Sequence, residues 1–168
     1  MPGRTKVLED LFYDTLRDIF YAEKKILRTL PKMARAANSP ELKAAFEKHE
    51  METEGQVERL NKIFDLLGRP ARGKTCDAID GITDEGAEVM ESYKDSPALD
   101  AGLLAAAQAV EHYEISRYGT LRAWAKKLGQ EQVATLLDET LSEETATDKA
   151  LSQLAMSAIN ADAEGQAA

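Results

Sequence analysis

Four long stretches of this sequence carry apolar residues at alternating spacings of three and four, the signature of a helix with one buried face. In each stretch the apolar row is broken near its middle by glutamate. The first row reads Phe12, Leu16, Ile19, Glu23, Ile26, Leu30, Met33. The second reads Leu42, Ala45, His49, Glu52, Gln56, Leu60, Ile63, Leu67, and the third Leu104, Ala107, Glu111, Glu114, Tyr118, Leu121. The fourth reads Val133, Leu136, Thr140, Glu143, Thr147, Ala150, Leu154. A helix that carries such a row must bury it against others. The chain is therefore expected to be a bundle with acids inside.

Local punctuation sets the lengths. The first helix is expected over residues 5–37, with Pro31 bending or breaking it late. "NSPELKAAF" restarts a helix, with Ser39 as N-cap and Pro40 in the first position, and this second helix runs over 40–67 to Gly68. A shorter, glycine-interrupted helix is expected over 77–93. "KDSPALD" repeats the Ser-Pro signal, with Ser96 as N-cap, for a third long helix over 97–128 that ends at Gly129. The fourth covers 130–160, and "ADAEGQAA" reads as a frayed tail. Very short turns make hairpins of the first pair and of the last pair. The connection between the pairs spans nearly thirty residues and can cross the bundle. These features predict an all-α, ferritin-like up-down four-helix bundle with a long crossover containing a short fifth helix, as a single domain over 1–168.

Composition narrows the functional classes. A formal net charge of −9 with scattered basic residues leaves no basic stripe for nucleic acid or anionic lipid, so neither is an expected partner. A single cysteine, Cys76, rules out an internal disulfide and a cysteine metal cage, and it is expected to have no partner and no role. "MPGRTKVLED" has no apolar run behind it to serve as a secretory signal, and no stretch is apolar enough to span a membrane. The expectation is a cytoplasmic protein.

The two halves match in register. A shift of 91 residues pairs Thr29-Leu30 with Thr120-Leu121, Ala34 with Ala125 and Leu60 with Leu151. It also pairs Glu23 with Glu114 and Glu52 with Glu143, so four glutamates stand at matching depths in two helical hairpins. Glu111 has no such counterpart, because its partner position is Phe20, and of the two acids on the third helix it is expected to be the more dispensable. Taken singly, each acid reads as a solvated charge. Together, at one level on four seams, they read as buried, and a buried carboxylate costs several kcal/mol unless paired or bound to metal. Divalent cations remove both that cost and the mutual repulsion. Hard carboxylate oxygens with one imidazole suit iron or manganese. The expected metal ligands are Glu23, His49, Glu52, Glu111, Glu114 and Glu143.

Other polar residues read less sharply. His112 lies off the seam, about 100° round the helix from Glu111. Tyr118 is placed to donate to a ligand carboxylate, or to serve as a plain core tyrosine. Glu139, Glu144 and Asp148 form a polar face, although a register slip would turn Glu144 inward.

The stretches "YAEKKI", "HEMETEGQVERL", "AAAQAVEHYEISRYGTL" and "DETLSEETATD" resemble the YciE/YciF-type ferritin-like family over nearly the whole chain. The resemblance implies a homodimer of five-helix chains, a di-iron site and a link to stress responses. The sequence departs from the wider ferritin pattern, which has histidine three residues after the glutamates of the second and fourth helices. Gly55 and Ala146 occupy those positions here. The expected function is a protein with two iron ions (or manganese), bridged by Glu52 and Glu143, that oxidises iron or handles peroxide or oxygen under stress. The alternative is a non-catalytic structural or interaction module that keeps the bundle around a vestigial or empty site.

Overall fold

The computed structural model describes residues 4–164. The described chain is all helix and irregular backbone, with no strand: α1 (Leu8–Ala36), α2 (Pro40–Leu66), α3 (Asp77–Ser92), α4 (Leu99–Lys127) and α5 (Glu131–Leu154), then a π-helical turn (Ala155–Ile159) and α6 (Asn160–Ala163). Two contacts fix the sense of α1 against α4: Tyr118 meets Glu23, while Asp100 meets Asn38. Residue numbers rise along one as they fall along the other, so the pair is antiparallel. The same holds for α2 and α5, where Thr147 meets Glu52 and Arg59 meets Thr140. The long helices thus run up, down, down, up, and the crossover between α2 and α4 carries α3.

Helix ends follow their local chemistry. Ser39 caps α2 through Leu42 N–H, with Pro40 in the first position. Gly68 and Gly129 close α2 and α4 with φ of 62° and 72°, the left-handed conformation that glycine adopts without strain. Three boundaries differ from the sequence reading. The first helix begins at Leu8 rather than at 5, because the Asp10 carboxylate accepts from Val7 N–H at 2.9 Å and anchors the first turn there. The helix α4 begins at Leu99. Ser96 instead closes a preceding turn, its hydroxyl accepting from Ala98 N–H and its carbonyl from Leu99 N–H, each at 3.1 Å. The last helix reaches Ala163 through the wide turn rather than as one α-helix, and residues 165–168 of the expected tail lie outside the described residues. Pro31 sits inside α1, which runs through it unbroken.

The apolar rows meet as expected along α1 and α4, where Leu16, Ile19, Leu104 and Leu121 are buried. At one end Phe20 packs edge-on to Phe64 with ring centroids 5.3 Å apart. The crossover is strapped over α1: Tyr13 donates to Pro70 O at 3.0 Å, Arg17 Nε to Arg72 O and Lys74 N–H to Arg17 O, both at 3.1 Å. At the other end buried Asp100 accepts from the backbone N–H groups of Asn38 and Ser39, at 2.8 and 2.6 Å. This clips the α1–α2 turn to the start of α4. Asp100→Ala orphans both donors and is expected to cost about 1–2 kcal/mol in urea unfolding; a loss below about 0.5 kcal/mol would mean that the clip contributes nothing.

Candidate metal centre

The inward stripes of α1 and α4 carry Glu23, Glu111 and Glu114, all fully buried, in the expected register. The register differs from the expectation by one residue at two levels on α2 and at three on α5. The buried stripe of α2 is Leu42, Phe46, His49, Thr53, Gln56, Leu60 and Ile63, and that of α5 is Val133, Leu137, Thr140, Glu144 and Leu151. Thr53 and Glu144 therefore take the inward positions expected for Glu52 and Glu143. The 91-residue shift relates these two positions, so both hairpins carry the same one-residue difference. Its cause is the 3.6-residue turn. Either i+3 or i+4 can continue a stripe, and here the bulky Phe46, rather than Ala45, goes inside and sets the phase.

His49, Glu111, Glu114 and Glu144 converge, with one ligand atom from each all lying within 4.8 Å of one another. His49 Nδ1 is 3.1 Å from Glu111 Oε1, and its Nε2 is 3.7 Å from Glu144 Oε2. Beside them Glu23 accepts a hydrogen bond from Tyr118 Oη, and Gln56 Nε2 donates to Glu144 Oε1. Tyr118 thus serves a carboxylate of a neighbouring helix. Tyr118→Phe leaves Glu23 Oε1 without a donor, with an expected cost of about 1–3 kcal/mol on urea unfolding.

Glu52 and Glu143 stand at the rim, each about a quarter to a third exposed at the side chain (26% and 33%). Glu52 pairs with Lys48 and accepts from Thr147 Oγ1 at 3.3 Å. Glu143 is held by both terminal nitrogens of Arg59, at 2.8 and 3.0 Å, and by Gln56 Nε2 at 3.2 Å. His112 is on the surface, paired with Asp148 at 3.1 Å, and Glu139 lies outside against Arg59. Cys76 has a neighbour that the sequence did not announce: its sulfur is 3.0 Å from Tyr113 Oη.

The electrostatics follow from burial. Glu111 is pushed up to about 12 by burial, then by the closeness of Glu144 and the charge there. Glu23 rises to about 8 by burial and by the charge of Glu144. Burial and the charges of Glu144 and Glu23 also hold Glu114 well above the carboxylate range. Burial acts on Glu144 in the same direction, but the imidazole of His49 and the protonated acids Glu111 and Glu114 beside it outweigh it and keep this carboxyl low. Without a cation, one anion is thus shared among protonated neighbours. A small cavity of about 10 Å³ flanks His49, lined mainly by apolar side chains with Thr29 and Thr83 among them.

These residues suit a hard or borderline cation. Among the described residues eight buried side-chain atoms lack a hydrogen-bond partner: Glu23 Oε2, His49 Nε2, Gln56 Oε1, both oxygens of Glu111, both of Glu114, and Glu144 Oε2. Native interiors leave very few such atoms unpaired. Here they are gathered at one level, all oxygen except one imidazole nitrogen, a donor set that matches iron or manganese. The site is a buried His/Glu cluster capable of coordinating a metal ion.

Glu144 and Gln56 were not among the expected ligands. The sequence placed Glu144 on the outer polar face unless the register slipped, and the slip is what the structure shows. Gln56 was on the expected seam, and a glutamine inside an apolar row was itself a signal.

Comparison with known proteins agrees with this architecture. A family described as a domain of unknown function (DUF892) matches residues 7–164. Protein YciF of Escherichia coli (strain K12) is 44% identical over 163 residues, covering 96% of this chain and 98% of that protein. The crystal structure of the E. coli stress protein YciF aligns over 93% of this chain and 99% of its own, with a TM-score of 0.88 and 43% identity. YcfI of Rhodopseudomonas palustris aligns over 90% of this chain and 97% of its own, at 0.84 and 43%. A protein from Xanthomonas campestris, 23% identical with a TM-score of 0.71 over 94% of this chain and 97% of its own, shares the fold. With four long helices, the crossover helix and the buried acids in place, the chain belongs to the YciF (DUF892) family of the ferritin-like superfamily.

Proposed function

We propose that this chain is a di-metal carboxylate protein that takes up two iron ions, or manganese in their place, and serves iron oxidation or the handling of peroxide or oxygen under stress. The observation that carries the reading is the set of eight unpaired buried donor atoms at one level of the bundle. The stress context rests on the E. coli relative described as a stress protein. On this reading His49, Glu111, Glu114, Glu144 and Glu23 form the inner donors, with Glu52 and Glu143 as outer ones. Bound iron or manganese would supply the electrons that pass to the oxidant.

The chain's own groups prepare that chemistry. Tyr118 fixes one oxygen of Glu23 and leaves Oε2 free. Glu111 and Glu114 hold protons that they must release to become ligands, so uptake of a cation is coupled to proton release. Burial by four helices excludes bulk water. Among the described residues no helix is long and apolar enough to cross a membrane. A cytoplasmic homodimer of 168-residue single-domain chains completes the proposal, supported by the family resemblance, and light scattering tests the dimer.

The deciding experiment is anaerobic titration of metal-free protein with Fe(II), with about two ions per chain expected. A Glu114→Ala, Glu144→Ala variant should lose this binding. Equal uptake by parent and variant, at the same affinity, would sink the proposal. A second reading, a structural or interaction module with no metal chemistry, is favoured by one feature. The cluster can satisfy itself in part by protonation, with Glu144 as the single low-pKa acid. Thermal melts indifferent to chelator and to added cation would support it.

A further inference from the structure

The pseudo-twofold that relates the two hairpins is broken at one charged residue. The rim acids Glu52 and Glu143 are related by the 91-residue shift, as are their cross-helix donors Thr147 and Gln56. Thr147 on α5 donates to Glu52 on α2 at 3.3 Å, and Gln56 on α2 donates to Glu143 on α5 at 3.2 Å. Their cationic partners do not correspond. Glu52 faces Lys48, a flexible side chain that is 63% exposed. Glu143 faces Arg59, which is 17% exposed, and the position related to Arg59 is Ala150.

Arg59 is engaged on every nitrogen. Nη1 donates to Thr140 Oγ1 at 2.7 Å and to Glu143 Oε2 at 3.0 Å, Nη2 to Glu143 Oε1 at 2.8 Å, and Nε lies 3.2 Å from Glu139 Oε2. Both oxygens of Glu143 are therefore occupied by one planar guanidinium, a fit that lysine cannot reproduce. From there the contacts run without a break into the cluster. Gln56 bridges Glu143 and Glu144, and Glu144 meets His49. Gln56 Oε1, buried at the joint between rim and cluster, has no partner.

We propose that Arg59 is a built-in competitor for cations at Glu143, a guanidinium latch that makes the two ends of the site unequal. The proposal rests on the metal-binding reading above and adds the order of filling. A cation arriving at the Glu52 side displaces only an exposed lysine, whose hold on its partner is weak and screened by solvent. A cation that takes Glu143 must first free it from a part-buried bidentate pair. The Glu52 end fills first, and the Glu143 end fills second and more weakly. Arg59 acts on the metal through Glu143 and is a positioning residue.

Calorimetric titration of the metal-free protein with Mn(II) tests this. The parent should show two unequal binding events. Arg59→Met keeps the apolar stem but removes the competitor, and should tighten the weaker event about tenfold while leaving the stronger one within about twofold. Arg59→Lys, which keeps the charge and loses the fork, should fall between. Adding Glu143→Gln to Arg59→Met should abolish the gain. An arginine that merely braced the fold would lower the melting temperature when removed and would tighten nothing. A weaker event that is unchanged or weakened in both Arg59→Met and Arg59→Lys overturns the latch while the metal-binding reading stands. Should Arg59→Met fail to fold, Arg59→Lys alone decides, and absence of tightening there overturns the proposal. A parent that binds no Mn(II) and no Fe(II) overturns the metal-binding reading itself, and the latch with it.

Discussion

Stripped of cations, the protein is expected to lose stability steadily as pH rises from about 4.5 towards 8 and beyond, and to regain it when Mn(II) is added. An unfolded glutamate gives up its proton near 4.5, whereas folded Glu23 keeps its proton to about 8 and Glu111 to about 12. Across that window the folded chain binds more protons than the unfolded one, so stability falls as pH rises. Below about 4.5 the contribution of these acids is complete. Glu144 works in the opposite sense: its lowered pKa contributes stability above the usual carboxylate range, which is lost in strong acid. Three raised carboxyls against one lowered give a net slope of several kcal/mol over the window. A cation that binds only the folded, deprotonated cluster reverses the loss by mass action, with more effect at higher pH because fewer protons must leave. Thermal melts from pH 5 to 9, with chelator and with Mn(II), measure both arms. A flat profile in chelator would mean that the acids are not buried as described. A falling profile that Mn(II) leaves unchanged would favour the non-metal module.

The second large effect is a stability gained at the expense of binding. Glu114→Gln should make the cation-free protein more stable by up to about 3 kcal/mol at pH 7, because folding the parent there must return a proton to a group that ionises near 4.5 when unfolded. Glutamine keeps the shape of the protonated acid and carries no such cost. The gain should shrink towards zero as pH falls to 4.5. The same substitution removes an anionic donor, so the Mn(II)-induced rise in melting temperature should be largely lost. Urea unfolding at two pH values and melts with Mn(II) check the three statements. A variant less stable than the parent at pH 7 in chelator would show that Glu114 is not protonated in the fold. The pairing of the two effects is the stability–function conflict expected where buried polar groups are kept for a task.

Much of this was legible in the chain. The rows on α1 and α4 placed Glu23, Glu111 and Glu114 inside, because Leu16, Ile19, Leu104 and Leu121 continue the buried stripe on either side of them. Ser39, Gly68 and Gly129 marked their helix ends through backbone chemistry that acts within a few residues. The long gap between α2 and α4 was enough to require a crossover. On α2 and α5 the stripe was ambiguous, since each offers apolar or small residues at both i+3 and i+4, such as Ala45 beside Phe46 and Leu136 beside Leu137.

The sequence by itself therefore determined that acids and one histidine would be drawn to mid-bundle, since hydrophobic periodicity fixes each helix's buried face to within one residue. Which member of Glu52-Thr53 and of Glu143-Glu144 turned inward was decided by packing against the other helices, where the bulk of Phe46 over Ala45 selects the rotation of α2 and α5 must fit against it. Tertiary structure alone also decided who holds the rim. That Arg59 reaches Glu143, and that Gln56 joins Glu143 to Glu144, depends on residues more than 80 positions apart meeting across two antiparallel helices. A one-residue rotation, worth about 100° on a helix, separates a ligand facing the cluster from a carboxylate paired at the surface.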